Sequence, residues 1–217
     1  MGIKQRVDKV LYPLKMKIGL MKRRNSLRRD GLEMIGRITA ELDWRGADFF
    51  ADYGTLLGVM RDKKLIPGDD DIDFGIHITD EFGWEKLEQA MKALGFRKNH
   101  QFRLDGSITE QNYCLDTFFV DFFRHEETEE NSICYVFDRD GENYPADNAW
   151  DVMQFRTPPI RETKHVKLGE KTIRGPGNAE EYLSCVYGPN WKIPDPGWKT
   201  GSGPATTRPE GKYAYME

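Results

Sequence analysis

The sequence predicts an α/β (α+β) fold, built as one domain with a basic helical extension at its N-terminus. The chain has 217 residues, of which 38% are hydrophobic and twelve are Phe, so it can enclose one hydrophobic core. Short apolar runs typical of strands alternate with segments of helical period, and no clear linker separates them. We therefore predict a basic amphipathic helical segment at 1–26, a single domain at 27–198 and a mobile Gly/Thr/Pro-rich tail at 199–217.

Composition excludes several classes of protein. Charged residues make up 31% of the chain, and no apolar run approaches the roughly 20 residues that cross a bilayer. The N-terminus lacks the apolar stretch of a signal peptide. Cys114, Cys134 and Cys185 are odd in number and lack CxxC spacing, which argues against a disulfide framework or a zinc site. We expect a soluble, reduced, cytoplasmic protein.

The charge is distributed unevenly along the chain. Residues 1–31 contain ten Lys and Arg against two Asp, a net charge of +8, so the remainder carries −12 to give the total of −4. Apolar residues from Ile3 to Met21 recur at helical spacing between the basic ones, and Pro13 is expected to break this helix into two pieces. Two interpretations stay open. The segment either packs on the domain with solvated charges, or lies on an anionic membrane surface at the inner face of a membrane. No motif indicates nucleic-acid binding.

The elements of the domain follow from periodicity and from capping residues. Apolar residues three and four apart predict helices, and alternating or continuous apolar runs predict strands. In chain order we predict a helix over 27–43, a strand over 47–51, a helix from about Thr55, a strand over 71–76, a helix from Thr79 or Asp80 to Leu94 with Gly95 after its end, strands over 116–123 and 132–137, and a helix with Asn178 as N-cap, Glu181 completing a capping box and Gly188 as its stop.

Acidic residues crowd the start of the predicted strand in "IPGDDDIDFGI", residues 66–76. Side chains alternate along a strand, so Asp71 and Asp73 project from one face. Unit charges a few ångströms apart repel by roughly 1 to 4 kcal/mol, and a bound cation would offset this repulsion. Asp121 lies within another apolar run, where an unpaired carboxylate is costly. If the two strands are neighbours, the three carboxylates form a cluster that can hold one or two Mg²⁺ (or Mn²⁺) ions and align a phosphate.

Two other interpretations of the acidic run were weighed. Asp69 and Asp70 alone would be unremarkable as turn and solubility residues. Asp69, Asp71 and Asp73 match the first three ligand positions of an EF-hand calcium loop, but the position that requires Gly is Phe74 and the last ligand position is Asp80 instead of Glu. The sequence therefore disfavours a calcium loop.

The segment "YGTLLGVMR" supplies groups that suit a phosphate. Gly54 and Thr55 lie between a predicted strand and a predicted helix, where backbone N–H groups and the helix N-terminus can bind an anion. Arg61 follows and is a candidate phosphate clamp, since guanidinium binds phosphate through two parallel hydrogen bonds. The alternative for Arg61 is an ordinary surface charge.

Four further residues invite functional interpretations that the sequence does not favour. Trp150, Trp191 and Trp198 could form a cation–π cage for a quaternary amine, but core or surface packing is the expected role of each. His125 follows the Asp121 strand and is a candidate acid or base, although a lone histidine is more often structural.

Two segments resemble one known family. "YGTLLGVMRDKKLIPGDDDIDFGI" and "NAEEYLSCVYGPNWKIPDPGW" are similar to signature elements of the LicD/fukutin-related family, and the resemblance spans residues 32–198. It implies a nucleotidyltransferase-like fold, a mixed β-sheet flanked by helices. It also implies transfer of a phospho-alcohol, such as phosphocholine or ribitol phosphate, from a CDP-activated donor to a glycan hydroxyl.

The resemblance also assigns roles by motif position. Asp71 and Asp73 would be metal ligands, and Gly54 and Thr55 would contact the donor phosphate. Asp121 would be the third carboxylate, so that the three aspartates form both the catalytic and the metal-binding set. The family's usual Trp before the aspartates is replaced by glycine at position 68, which could reshape the donor pocket.

Three functional hypotheses follow. The first is a metal-dependent phosphotransferase that acts on a cell-surface glycan, such as a lipopolysaccharide, a capsule or a teichoic acid, with an acceptor that can be lipid-linked. The second is a nucleotidyltransferase that moves NMP from NTP to a small molecule, RNA or protein. The third is a non-catalytic binding protein with a degenerate site. The presence of Asp71, Asp73 and Asp121 together favours the enzymes, and the preferred donor separates the first from the second.

Overall fold

The structure is a computed structural model that describes residues 3–139, 141 and 143–217, with the side chains of the first helix described from Pro13 onward. Its helices are α1 (Ile3–Trp44), α2 (Tyr53–Asp62), α3 (Trp84–Ala93) and α4 (Ala179–Tyr187). Its strands are β1 (Asp48–Ala51), β2 (Ile72–His77), β3 (Arg97–Leu104), β4 (Ser107–Leu115), β5 (Phe118–Arg124), β6 (Glu126–Glu127), β7 (Ser132–Asp138), β8 (Ala149–Thr157), β9 (Thr163–Leu168), β10 (Lys171–Pro176), β11 (Thr206–Thr207) and β12 (Tyr213–Met216).

One large mixed sheet organises the molecule and confirms the predicted α+β class. Its strand order is β1-β2-β5-β4-β3-β12-β8-β7-β6, with β11 paired to β8, and β9 and β10 form a separate hairpin. Among the described strand pairs only β2 and β5 run parallel. β5 and β7 are far apart in this order but contact each other, so the sheet curls on itself. None of the described helices is long and apolar enough to span a bilayer.

The core lies between the β1-β2-β5 part of the sheet and the helices. Phe74 and Phe122 stack with their ring centroids 5.4 Å apart, and Phe49 meets Phe74 edge to face. From α1 the buried residues Ile35 and Ile38 reach the same core. Each fully buried side chain of this kind stabilises the fold by about 1.5–3 kcal/mol.

The predicted break at Pro13 is wrong, because α1 is one helix from Ile3 to Trp44. Proline removes one backbone hydrogen bond and clashes with the preceding turn, but good helix formers such as Leu, Lys and Met flank Pro13 and the helix continues through it. Within the described side chains of α1, Leu27 is the first buried residue. From Pro13 to Ser26 the side chains of α1 are therefore largely exposed, and from Leu27 onward the helix packs on the domain.

The starts of two helices differ from the prediction. α2 begins at Tyr53, because Asp52 is its N-cap and accepts a hydrogen bond from the Tyr53 N–H. α3 begins only at Trp84. The Thr79 hydroxyl accepts from the Phe82 N–H, so Thr79 closes a turn before the helix and does not cap it.

The ends of the helices agree better with the sequence. Gly95 follows α3 with a φ of 91°, a conformation that favours glycine, and Gly188 ends α4 with a φ of 89°. Asn178 is the N-cap of α4 by position, but the predicted capping box is absent. The Asn178 amide donates instead to the carbonyl of Pro159.

The tail at 199–217, for which we expected mobility, contributes two short strands to the sheet. β12 lies between β3 and β8, where Tyr213 pairs with Asp151 and Tyr215 pairs with Arg103. Ala214 is fully buried. The alternation in "YAYM" suits this place in the sheet, and it outweighs the Gly- and Pro-rich residues before it.

Candidate active site

Three aspartates meet where the two parallel strands lie side by side. Asp73 on β2 is the direct register partner of Asp121 on β5. Asp71 comes two residues before Asp73 and faces the same side of the sheet. One carboxylate oxygen from each of the three lies within 4.8 Å of the others. The structure thus brings together the predicted cluster, whose catalytic and metal-binding roles stay predictions.

Hydrogen bonds from the turn between β1 and α2 hold Asp73 in position. The Gly54 N–H donates to Asp73 Oδ2 at 3.1 Å, and the Thr55 hydroxyl accepts from the Asp73 N–H at 2.9 Å. The Asp52 N–H donates to the Asp73 carbonyl at 3.0 Å. Tyr53 within this turn has a φ of 33°, an uncommon value for a bulky residue. The turn is therefore a strained segment, and three hydrogen bonds connect it to Asp73.

Gly54 has no room for a side chain. A Cβ at this position would lie 2.9 Å from Asp69 Oδ2 and 3.3 Å from Asp73 Oδ2. The absence of a side chain lets two carboxylates approach the backbone closely, as is typical where a backbone borders a bound ligand.

Asp121 is oriented by β4. Asn112 lies directly opposite Asp121 and donates from Nδ2 to Asp121 Oδ1 at 2.6 Å. Asn99 Nδ2 in turn donates to Asn112 Oδ1 at 3.0 Å. This chain of amides therefore orients the Asp121 carboxylate through one of its two oxygens.

Burial and mutual repulsion raise the pKa values of the cluster. Burial, with the charges of Asp71 and Asp70, raises the pKa of Asp69 to about 7. Burial, with the charge of Asp70, raises the pKa of Asp71 to about 6. The pKa values of Asp73 and Asp121 are raised well above the usual range for the same reasons. Without a cation, the cluster therefore retains protons that exposed aspartates would lose.

Two adjoining cavities open beside the aspartates, with volumes of about 460 and 620 Å³. Their common wall consists of Gly54, Asp69, Tyr187 and Trp198. The first cavity has an acidic end and an aromatic end. Its lining is Tyr53, Gly54, Asp69, Asp71, Asp73, His100, Phe102, Glu110, Asp121, Phe123, Val136, Phe137, Trp150, Phe155, Tyr187, Trp198, Thr200 and Met216.

The site fits a hard divalent cation. Carboxylate oxygens are the ligands that Mg²⁺ and Mn²⁺ prefer, and three of them converge from Asp71, Asp73 and Asp121. Ligands on a common ion lie about 3 to 4 Å apart, so small side-chain rotations would close the set. The raised pKa values are also those of carboxylates that lack a counter-charge.

The three predicted phosphate-contacting residues differ in their access to the two cavities. Gly54 lines both cavities. The Thr55 side chain is 1% exposed, and its hydroxyl contacts the backbone of Asp73. Arg61 lines only the second cavity, and its Nε lies 3.0 Å from Asp62 Oδ2.

A buried polar network behind the site includes residues that the sequence did not single out. His125 Nε2 lies 2.8 Å from Asp52 Oδ2, and the Tyr182 hydroxyl donates to the other oxygen of Asp52. His125 Nδ1 lies 2.9 Å from the Ser132 hydroxyl. Burial alone would lower the pKa of His125, but Cys134 and Asp52 outweigh it and raise that pKa to about 10. His125 lines neither cavity of the site, so its contacts are structural.

All three tryptophans line a cavity in addition to the packing expected of them. Trp191 is buried in the core and also lines the second cavity. Trp150 lines the aromatic end of the first cavity, and Trp198 lines both. The indole N–H groups of Trp150 and Trp198 are buried and have no hydrogen-bond partner among the described residues.

Several further residues that line the cavities were not predicted from the sequence. Asp69, set aside as a turn residue, lines both cavities, and Glu110, His100 and Tyr187 line the first. His100 and Glu110 belong to β3 and β4, which the sequence analysis did not predict.

Comparison with known proteins gives consistent matches. The family model described as "LicD/FKTN/FKRP, nucleotidyltransferase domain" matches residues 46–178. Uncharacterized protein RT0683 of Rickettsia typhi is 30% identical over 143 residues, which cover 66% of this chain and 40% of that protein. Uncharacterized protein RP689 of Rickettsia prowazekii is 29% identical over 143 residues, 66% of this chain and 48% of that protein.

A relative with a named activity is also matched. The human protein named ribitol-5-phosphate transferase FKTN is 25% identical over 194 residues, which cover 88% of this chain and 40% of that protein. The matched part is less than half the length of each of these three relatives. The family model covers more than half of this chain and includes Gly54, Asp71, Asp73 and Asp121. The chain belongs to the LicD/FKTN/FKRP family.

Proposed function

We propose that the protein is a metal-dependent phosphotransferase that moves a phospho-alcohol from a CDP-activated donor to a hydroxyl of a glycan. The observation that carries this proposal is the register of Asp73 against Asp121, with Asp71 beside them, in the wall of the first of two adjoining cavities. One cavity can receive the donor and the other the acceptor, and the two cavities meet at Gly54 and Asp69, next to the cluster. Membership of the LicD/FKTN/FKRP family supports phosphoryl-group transfer.

Asp71, Asp73 and Asp121 would hold the ion. A Mg²⁺ or Mn²⁺ ion bound to them would neutralise the negative charge of the donor's diphosphate and of the departing CMP. The protein supplies a preformed geometry, because the hydrogen bonds from Gly54 and Thr55 fix Asp73 before any ligand binds. Preorganised groups of this kind need not rearrange during the reaction.

The donor's phosphates would lie against Gly54, which borders both cavities. Thr55 then acts through Asp73, since its hydroxyl holds the Asp73 backbone. Arg61 reaches the second cavity, whose wall is otherwise largely apolar. We assign the CMP half of the donor to the second cavity, with Arg61 as its phosphate clamp.

The reaction is a displacement at phosphorus. The acceptor hydroxyl oxygen forms a bond to the phosphorus that carries the alcohol, and the bond from this phosphorus to the oxygen of CMP breaks, so CMP leaves with the electron pair. The hydroxyl proton passes to the ionised carboxylate of Asp121, which acts as the general base. The aromatic end of the first cavity offers flat surfaces for the acceptor sugar.

The donor alcohol is a separate part of the proposal. The human relative is named for transfer of ribitol 5-phosphate, which favours a polyol phosphate as cargo. Phosphocholine is the other candidate, and the unpartnered indole N–H of Trp150 favours a hydroxylated cargo or acceptor over a quaternary amine, which has no hydrogen-bond acceptor.

Helix α1 supports a location at an anionic membrane surface on the cytoplasmic side. Leu14, Ile18 and Met21 are 54%, 44% and 63% exposed and recur at helical spacing on one face. Lys15 and Lys17 flank this face and can reach lipid phosphates. A peripheral attachment of this kind would bring the active site to a lipid-linked glycan acceptor.

A thermal-shift panel tests the function. The protein is melted with Mg²⁺ or Mn²⁺ and with CDP-choline, CDP-ribitol, CDP-glycerol, GDP-mannose, CTP or ATP in turn, beside the Asp71→Asn/Asp73→Asn variant. A metal-dependent rise in Tm with one CDP-alcohol, absent from the variant, is expected. A rise with NTPs alone would favour a nucleotidyltransferase instead, and no rise with any nucleotide in the folded protein would favour a binding protein without this chemistry.

A further inference from the structure

We propose that the first cavity contains a second divalent-cation site, formed by His100, Glu110 and Asp121 on three neighbouring strands. One ligand atom from each of these residues lies within 4.8 Å of the others. This site shares Asp121 with the cluster of Asp71 and Asp73, and its binding of an ion rests on its own geometry. Its role in catalysis, which places a second ion beside the acceptor, rests on the proposed phosphotransferase function.

The strand register separates the two sites. Asp73, Asp121, Asn112 and His100 form a row across β2, β5, β4 and β3, each the direct partner of the next. Asp71 lies two residues to one side of this row. Glu110, the partner of Phe123, lies two residues to the other side. The backbone positions of Asp71 and Glu110 are therefore about 13 Å apart along the strand direction, too far for one ion to use both.

The surroundings of Glu110 indicate that its carboxylate binds a cation. It is 6% exposed, it lines the cavity, and it accepts no hydrogen bond from the described part of the chain. His100 Nε2 lies 3.7 Å from Glu110 Oε1, which is beyond hydrogen-bond length. Buried carboxylates normally have a partner, and a cation between Glu110, His100 and Asp121 would provide one.

The overall charge of the cavity also calls for more than one ion. Asp69, Asp71, Asp73, Glu110 and Asp121 all line it, and no Lys or Arg is among its described lining residues. One divalent ion offsets two of these five carboxylates, and a diphosphate ligand adds further negative charge. A second ion at Asp121 would give the paired arrangement, with ions about 3.5–4 Å apart, that clamps both oxygens of an in-line displacement.

The ligand types distinguish the ions. The first cluster offers carboxylates only, which suit Mg²⁺ and Mn²⁺, whereas the second site adds an imidazole, which also suits Zn²⁺, Fe²⁺ or Ni²⁺. Behind the imidazole, Asn99 Nδ2 lies 3.1 Å from His100 Nδ1. This partner would fix the imidazole orientation toward the cavity.

The test counts Mn²⁺ ions on the metal-free full-length protein by electron paramagnetic resonance, without any nucleotide. We expect two ions per chain for the unchanged protein, one for Glu110→Gln and one for His100→Gln. The exposed Glu129→Gln serves as the matched control and should keep two. Circular dichroism verifies that each variant is folded. Because Glu110 and His100 are changed separately, the test still gives a result if one variant does not fold.

Each other result overturns the inference. One ion on the unchanged protein excludes a second site, two ions on both variants exclude these ligands, and loss of both ions from either variant indicates a single coupled site. The count is independent of turnover. If no CDP-alcohol is a substrate, a count of two bound Mn²⁺ ions would still support the second cation site. If only one Mn²⁺ ion binds, the phosphotransferase proposal would still stand on Asp71, Asp73 and Asp121.

Discussion

Asp73 on β2 and Asp121 on β5 face each other directly across the one parallel pair among the described strands. Each would be costly to ionise next to the other. Their hydrogen bonds, from the Gly54 N–H to Asp73 and from Asn112 to Asp121, nevertheless hold both in place. The fold thus maintains a repulsive pair of carboxylates, and a cation that relieves the repulsion is the simplest reason for it.

Replacing Asp73 by Asn should raise stability and remove function together. The variant loses one member of a like-charged cluster whose pair repulsions are roughly 1 to 4 kcal/mol, so the metal-free protein should melt several degrees higher. Its stabilisation by Mg²⁺ should vanish, and transfer should fall about 10²–10³-fold. Differential scanning calorimetry with and without Mg²⁺ measures the first two effects. Asp80→Asn, at an exposed position, is the control, and a lower Tm for metal-free Asp73→Asn would contradict the repulsion.

Gly54→Ala tests the close approach of the turn to the carboxylates. Because the new Cβ would lie 2.9 Å from Asp69 Oδ2, Asp69 must move and the donor subsite must change. We expect at least about a 10-fold loss of donor affinity, measured by calorimetric titration, with the fold retained. Gly83→Ala is the matched control, since a Cβ there meets nothing within 4 Å. Unchanged donor affinity in Gly54→Ala would exclude this turn from the donor site.

Metal affinity should rise with pH. Asp69 and Asp71 have pKa values raised to about 7 and about 6, so binding must release protons in acid solution. Because their folded pKa values lie above the unfolded ones, their protonated forms stabilise the metal-free protein below about pH 4, and this contribution is lost as pH rises through 6 and 7. The Tm difference between Mg²⁺ and metal-free samples should therefore widen from pH 5 to pH 8. A constant difference would show that these carboxylates do not take part.

The buried pair of Asp52 and His125 should matter far more to stability than the exposed pair of Asp48 and His77. Both pairs have nitrogen–oxygen distances of 2.8 Å, but the Asp52 side chain is 0% exposed and that of Asp48 is 53% exposed. Asp52→Ala should cost about 3–5 kcal/mol, since it leaves a buried charge unpaired. Asp48→Ala should cost less than about 1 kcal/mol. Urea unfolding compares them, and equal losses would refute the structural role of this network.

The basic face of α1 should control binding to anionic vesicles. Changing Lys15, Lys17 and Lys22 to Glu should weaken binding to phosphatidylglycerol-containing vesicles by 10²-fold or more, since each Lys near such a surface contributes about 1 kcal/mol. Sedimentation with vesicles measures it, and activity on soluble acceptors should persist. The same three-residue change at the exposed Lys164, Lys167 and Lys199 is the control. Equal losses in both triple variants would point to net charge and not to α1.

The elements nearest the motif could be predicted from the sequence. The apolar residues of "DIDFGI" and of the Asp121 segment identify β2 and β5, because buried parallel strands form continuous apolar runs. The neighbouring hairpin of β3 and β4 was missed, since "RKNHQFRL" shows no apolar alternation. Its turn residues, Asp105 and Gly106 with φ values of 49° and 81°, were the available signal, because Asp-Gly is typical of a two-residue hairpin turn.

The missed strands explain the missed site residues. His100 and Glu110 are ordinary polar residues in sequence, and only the register of β3, β4 and β5 brings them to Asp121. The position of β12 could not be inferred locally either, because its partners Arg103 and Asp151 are distant in sequence. Local pattern identified the carboxylates, and long-range pairing determined what surrounds them.

The most direct test of the central claim follows phosphorus itself. The protein is incubated with Mg²⁺, the CDP-alcohol that stabilises it best and a panel of glycan acceptors, and ³¹P NMR records the products beside an Asp73→Asn sample. The account predicts that the diphosphate signals of the donor give way to CMP and a new phosphodiester, only with metal and only with Asp73. Intact CDP-alcohols, together with pyrophosphate released from an NTP under the same conditions, would contradict it.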